Sequence, residues 1–173
     1  TMTAGNSTPL TDGASAVLLA SEKWARQRGL PVLAFLTYAK VSAVDFVNKE
    51  GLLMAPAYAV SDMLKDAELS LQDFDFYEIH EAFAAQTLAC LKAWESEEFC
   101  RNSLGREHAL GSIDLKKLNT KGGSVAIGHP FAATGTRIVS SLAKLLHQTR
   151  TGRGLASVCT AGGMGVTAIL ESP

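Results

Sequence analysis

The run Gly122-Gly123-Ser124-Val125-Ala126-Ile127-Gly128-His129-Pro130-Phe131-Ala132-Ala133-Thr134-Gly135 constrains this chain more than any other stretch. Gly128 admits backbone geometry that a side chain forbids. Pro130 fixes φ and suits the opening of a helix. The small and apolar residues 132–146 continue as that helix. His129 is therefore expected on a rigid turn at a helix entrance, with its imidazole held at a set angle. The same pattern also fits a surface turn whose histidine has no task.

The rest of the chain alternates strand-like and helix-like segments. Residues 14–20 form an apolar run that reads as a first strand, followed by a short helix, 22–28, with Ser21 as N-cap and Gly29 closing it. Residues 32–44 are rich in apolar and β-branched residues and read as a second strand. Pro56 fits the first turn of a helix reaching about residue 67, with Met54, Val60, Met63 and Leu64 for its inner face. Residues 74–79 read as a third strand, and 82–94 as a helix apolar on most sides and therefore buried. Residues 95–118 change character: they are charged, carry Gly105 and Gly111, and read as a surface excursion. Residues 155–159 and 166–171 supply a fourth and a fifth strand around the turn Ala161-Gly162-Gly163-Met164-Gly165. The expected fold is α/β, one domain over 1–173, with a mixed five-stranded sheet covered by helices on both faces.

Composition excludes several classes. Sixteen basic and seventeen acidic residues leave a net charge of −1, so no electrostatic footprint for nucleic acid is present. No apolar run approaches the roughly 18 residues of a membrane-spanning helix, and no secretory leader is read. The odd count of three cysteines, Cys90, Cys100 and Cys159, without a C-x-x-C pair, points to a reducing compartment and away from disulfides or zinc. Thr1 in place of an initiator methionine, with the turn-like Gly5-Asn6-Ser7, gives the look of a piece of a longer polypeptide. His80-Glu81 starts like a zinc-protease helix, but Ala84 stands where the second histidine belongs. No phosphate loop and no dinucleotide fingerprint is found.

Three reactive side chains remain at strand ends or tight turns: His80, His129 and Cys159. Groups that do chemistry in α/β sheets collect past the carboxyl ends of strands. The small residues after Cys159 leave backbone N–H groups open to a ligand oxygen, which suits an oxyanion site. A cysteine near histidines suits acyl transfer or proton abstraction. Equally, Cys159 reads as a buried strand cysteine and His80 as a satisfied core histidine. Cys90 and Cys100 read as structural.

Three motifs in order, His80-Glu81-Ala82-Phe83-Ala84-Ala85-Gln86, the 122–130 run, and Cys159-Thr160-Ala161-Gly162-Gly163-Met164-Gly165, resemble the C-terminal half of a thiolase. The opening Thr3-Ala4-Gly5-Asn6-Ser7 with Asp12-Gly13-Ala14 resembles the passage between the two halves of that family, so the resemblance covers the whole chain. Most thiolases carry asparagine where His80 stands. Histidine there, with the charged excursion and Ala161 in place of the common glycine, resembles the fatty-acid-oxidation branch, the β-subunit of the trifunctional β-oxidation complex and its bacterial relatives.

The resemblance implies half of a layered αβαβα architecture. It implies cleavage of a 3-ketoacyl-CoA by a second CoA into acetyl-CoA and a shortened acyl-CoA. His129 would activate a nucleophilic cysteine that belongs to the family's other half. Cys159 would protonate the acetyl-CoA enolate and then activate the incoming thiol. His80 and His129 would stabilise the enolate oxygen through a water. The backbone of Ala161 would serve a second oxyanion hole, and Ala82, Phe83 and Phe131 would line the pocket. Coenzyme A enters as substrate, with no metal and no cofactor. The implied partners are an N-terminal thiolase domain of the same chain, a second copy in a homodimer or larger assembly, and a hydratase/dehydrogenase α-subunit. The implied compartment is the bacterial cytoplasm or the mitochondrial matrix. The alternatives are a biosynthetic acetoacetyl-CoA thiolase and a non-catalytic thiolase-like lipid-binding or assembly domain.

Overall fold

In the computed structural model, which describes residues 1–150 and 152–173, a mixed sheet separates two helical layers. The elements in chain order are α1 (Glu22–Gln27), β1 (Phe35–Ala43), α2 (Ala55–Asp66), β2 (Phe76–Ile79), α3 (Ala84–Glu95), α4 (Glu97–Asn102), α5 (Ser124–Ile127), α6 (Thr134–Thr149), β3 (Arg153–Thr160) and β4 (Met164–Glu171). The sheet order is β1-β4-β3-β2. β3 pairs with β2 in parallel, while β4 pairs antiparallel with both β3 and β1. A parallel pair needs a long crossover. Here the crossover runs from β2 through α3 to α6 and back to β3, and it carries most of the site.

Side-chain alternation along the strands divides the core. On one face, Tyr77, Ile79, Leu155 and Ile169 pack against Val60, Met63 and Leu64 of α2 and Leu91 and Trp94 of α3. On the other, Ala156, Ala168 and Leu170 meet Ile138, Leu142 and Leu146 of α6. Two helix signals act as expected, while the helix expected over 132–146 begins only at Thr134, because Ala132 takes a left-handed φ of 65° before it. Ser21 Oγ accepts from Trp24 N–H at the start of α1, and Pro56 sits in the first turn of α2.

Four expectations need correction. First, the sheet has four strands rather than five among the described residues, because residues 14–20 form no ladder. They run exposed beside α6, tied to it by Ser15 Oγ donating to the Ala133 carbonyl. Their apolar composition states a need for burial but supplies no neighbouring strand. Second, the strand placed at 32–44 begins at Phe35, and the one at 74–79 begins at Phe76. Third, α3 is buried on one side only: Ala85, Leu88, Ala89 and Lys92 form an open face. Fourth, 95–118 is not a plain surface excursion. It holds α4, and it buries Cys100 while packing Phe99, Leu104, Leu110 and Ile113 on the core. Arg106 anchors it by donating from Nε to Ser61 Oγ at 2.9 Å and from Nη2 to the Ser61 carbonyl.

The turn into α5 depends on a close approach. Glu81 accepts from Val125 N–H through Oε2 at 3.1 Å and from Asn119 Nδ2 through Oε1 at 2.6 Å. A Cβ on Gly123 would overlap that carboxylate. Gly123→Ala is expected to push Glu81 off both donors and to lower stability by about 1.5–3 kcal/mol, the scale of hydrogen bonds to a charged group. Gly135→Ala is the control. That glycine lies within α6 with open space around it, so the change is expected to be neutral or stabilising by up to about 1 kcal/mol. Denaturant unfolding of the two variants checks the contrast; equal midpoints would remove the assigned role of Gly123.

Candidate active site

His80 directly follows β2, and its backbone N–H donates to the Ser157 carbonyl of β3 at 2.8 Å. It is 1% exposed. His129 lies between α5 and α6. Gly128 before it has φ 107°, and a Cβ there would lie 2.6 Å from Thr11 Oγ1, so only glycine fits this corner. The two imidazoles face each other with ring centroids 4.2 Å apart, and the ring of Phe131 meets His129 edge-on at 4.9 Å. His80 and, 44 and 49 positions further along the chain, Ser124 and His129 thus form one cluster at the carboxyl end of the β2 strand.

The N-terminal segment clasps this cluster. Thr8 N–H donates to the Ala82 carbonyl at 3.1 Å, Ser7 bridges to Phe83, and Thr8 Oγ1 donates to the Ser124 carbonyl at 2.6 Å. His129 N–H donates to the Pro9 carbonyl at 2.9 Å. Leu10, Thr11, Asp12, Gly13, His129, Pro130 and Phe131 line a groove at this corner, with Phe131 71% exposed.

Cys159 lies near the carboxyl end of β3, 6% exposed. Its Sγ–H donates to Gln86 Oε1 at 3.6 Å, and the Ala82 backbone N–H is directed at the sulfur. Gln86 is held in turn by donating from Nε2 to Cys90 Sγ at 3.4 Å. Cys159 is therefore fixed against the 82–86 segment that leads out of His80, which places it on the histidines' end of the sheet. Ala161 stands two residues on, exposed, in a turn where Gly162 and Gly163 have φ 86° and 73°. Ala82 and Phe83 are half-buried at the entry to α3. Cys90 and Cys100 are buried in α3 and α4.

Burial sets the charge states. It pushes the Cys159 thiol up to about 11 and the Cys90 thiol to about 12. Burial, then His129, then Arg137 lower His80 to about 4. Burial and Arg137 lower His129 as well. Both imidazoles are thus neutral near neutral pH and Cys159 is a protonated thiol. His129 Nδ1 is 2.6 Å from Thr134 Oγ1, and that hydroxyl also reaches the Pro130 carbonyl at 3.4 Å. The hydroxyl proton then has its own acceptor, so Nδ1–H is the donor to Thr134 and Nε2 keeps a free lone pair. A neutral imidazole with a free lone pair is a base, and a buried thiol is an acid. Among the described residues no group of three or more His, Cys, Asp or Glu is placed to hold a metal ion.

Gln86, Thr134, Ser124 and Arg137 share this site without having been assigned a part from sequence. Gln86 and Ser124 lie inside the motifs, but spacing alone does not show which side chains meet.

A mixed sheet covered by helices on both faces thus carries the paired histidines and the buried thiol at one end. The chain belongs to the thiolase family: the family model for thiolase, C-terminal domain, matches residues 30–172. It is 48% identical over 170 residues to the 3-ketoacyl-CoA thiolase of Shewanella loihica, covering 98% of this chain and 38% of that protein. It is 47% identical over 171 residues to the 3-ketoacyl-CoA thiolase of Photorhabdus laumondii, covering 99% and 39%. The chain therefore spans about two-fifths of the length of the curated relatives it matches. Among solved structures, Bacillus anthracis acetyl-CoA acetyltransferase superposes with a TM-score of 0.82 at 36% identity, covering 99% of this chain and 39% of that one. Human mitochondrial 3-ketoacyl-CoA thiolase in complex with CoA gives 0.80 at 35% identity, covering 99% and 39%.

Proposed function

We propose that this chain is the C-terminal half of a 3-ketoacyl-CoA thiolase, an acetyl-CoA C-acyltransferase of fatty-acid β-oxidation. The observation that carries the reading is the facing pair of neutral imidazoles, His80 and His129, on the same sheet end as a thiol held protonated by burial. A cysteine thiol of the N-terminal half is deprotonated by His129 Nε2 and attacks the keto carbon of the substrate as the thiolate. The bond between the α- and β-carbons breaks, and the acyl group stays on that cysteine. The acetyl-CoA enolate takes its proton from Cys159, whose raised pKa keeps that proton in place until a strong carbon base forms. The Cys159 thiolate then accepts the proton of the incoming CoA thiol, which attacks the acyl-enzyme and releases the shortened acyl-CoA, the nucleophilic cysteine leaving as a thiolate that takes its proton back from His129. His80 and His129 hold the water that stabilises the enolate oxygen, and the backbone of Ala161 serves the second oxyanion. Ala82, Phe83 and Phe131 line the pocket.

CoA thioesters and free CoA are the small-molecule partners. A homodimer or larger assembly, an associated hydratase/dehydrogenase subunit, and the bacterial cytoplasm or mitochondrial matrix accompany this reading. No helix among the described residues is long and apolar enough to cross a membrane. Identity of 47–48% to the bacterial 3-ketoacyl-CoA thiolases supports the degradative branch over the biosynthetic one.

The test is the pair His80→Asn and His80→Ala in the full-length protein, assayed by steady-state thiolysis of a 3-ketoacyl-CoA. Asparagine keeps a donor for the bound water and is expected to retain appreciable activity. Alanine loses the donor, at a cost on the order of 10²–10³ in rate. Equal rates in the two variants would remove His80 from the oxyanion site.

A further inference from the structure

A buried serine and a half-buried arginine stand in line behind His80, and the chemistry above gives them no part. Ser124, the first residue of α5, is 0% exposed, and its Oγ is 2.8 Å from His80 Nδ1. Arg137, on the first turn of α6, donates from Nη2 to the same Ser124 oxygen at 3.0 Å.

The donor inventory decides the direction of each bond. A guanidinium has donors only, so the Ser124 oxygen accepts from Arg137. The hydroxyl proton of Ser124 then needs an acceptor in a place without access to water. His80 Nδ1 is the remaining partner of that oxygen among the described residues. In the reverse arrangement Nδ1–H would donate to Ser124, and the serine proton would be buried without an acceptor, the most unfavourable outcome for a polar group. A doubly protonated imidazole is opposed from three sides, by burial, by His129 and by Arg137. Glu78, buried on β2, has its own carboxyl raised by burial to about 7 and so is only partly ionised near neutral pH, while the groups that act on His80 all lower it.

We infer that Arg137 and Ser124 are positioning residues that hold His80 in its Nε2–H tautomer, so that the imidazole offers a donor, and not an acceptor, on the side away from Ser124. An asparagine amide carries its donor whatever lies behind it. A histidine carries one only if its tautomer is set, and this relay sets it. The inference deepens the thiolase reading: what the donor serves rests on that reading, while the tautomer itself does not.

Two measurements on the full-length protein separate the two. First, selective 15N-histidine labelling with long-range proton–nitrogen correlation at neutral pH, assigned by the signal that disappears in His80→Asn, reads the tautomer directly. The expected result is a pyrrole-like Nε2 and a pyridine-like Nδ1. Ser124→Ala is expected to mix the tautomers, and Arg137→Lys, which keeps a donor, is expected to preserve the wild-type pattern. A protonated Nδ1 in the wild-type protein overturns the inference, and this result needs no variant to fold.

Second, Ser124→Ala is expected to lower kcat for thiolysis by up to about 10²-fold, bounded by the loss of one oxyanion donor, with little change in KM. In the His80→Asn background the same substitution is expected to cost less than about threefold, because the amide needs no tautomer set. An equal loss in both backgrounds makes Ser124 merely structural and overturns the inference. Absence of thiolysis in the wild-type protein sinks the functional reading and leaves the spectroscopic result to decide the tautomer alone.

Discussion

Cys159→Ser is expected to lower thiolysis by the full-length protein by about 10²–10⁴-fold, the range ascribed to a positioned acid–base group. The substitution changes little in volume, so the buried end of β3 keeps its packing. The chemistry changes completely. Cys159 is set by burial to about 11, near enough to a thiol's ordinary range to give up a proton and take it back within one cycle. A serine hydroxyl in the same buried place is far too weak an acid to protonate the departing enolate and return as a base. Gln86 Oε1 accepts from either side chain, so orientation survives while proton transfer fails. Thermal unfolding at the wild-type midpoint, measured beside kcat, shows that the loss is chemical. Activity within about twofold of wild type would remove Cys159 from the mechanism.

Where local chemistry decides the structure, the sequence was legible. Ser21 caps α1, Pro56 opens α2, and Gly128 forms the corner before His129. The three reactive positions, His80, His129 and Cys159, stand at strand and helix ends as their flanking residues imply. What was hidden depends on partners far away in the chain. Residues 14–20 have the composition of a buried strand, yet Leu18 and Leu19 are exposed, because composition reports a need for burial and not where a neighbour lies. Along 95–118 the charges mask a sparse apolar set, Phe99, Cys100, Leu104, Leu110 and Ile113, that folds onto the core. The same holds within the site. Ser124 and Arg137 meet His80 only because the crossover from β2 returns through α5 and α6, and no local pattern announces that contact.

The central claim is that these residues hold the acid, the base and the oxyanion donors of a thiolase but not its acyl-carrying thiol. Cys90 and Cys100 are buried in helices, with Cys90 pushed to about 12, and the proposed mechanism uses Cys159 as the acid. An acyl-enzyme therefore has no site here, and His129 has no thiol to activate. The direct measurement is thiolysis of a 3-ketoacyl-CoA by the 173-residue chain alone and by the same chain joined to the N-terminal half of a 3-ketoacyl-CoA thiolase, each first shown to unfold cooperatively. The account predicts a folded chain with no turnover alone and turnover restored in the joined protein. Turnover by the chain alone, at a rate near that of the joined protein, would contradict it and place the nucleophile within these residues.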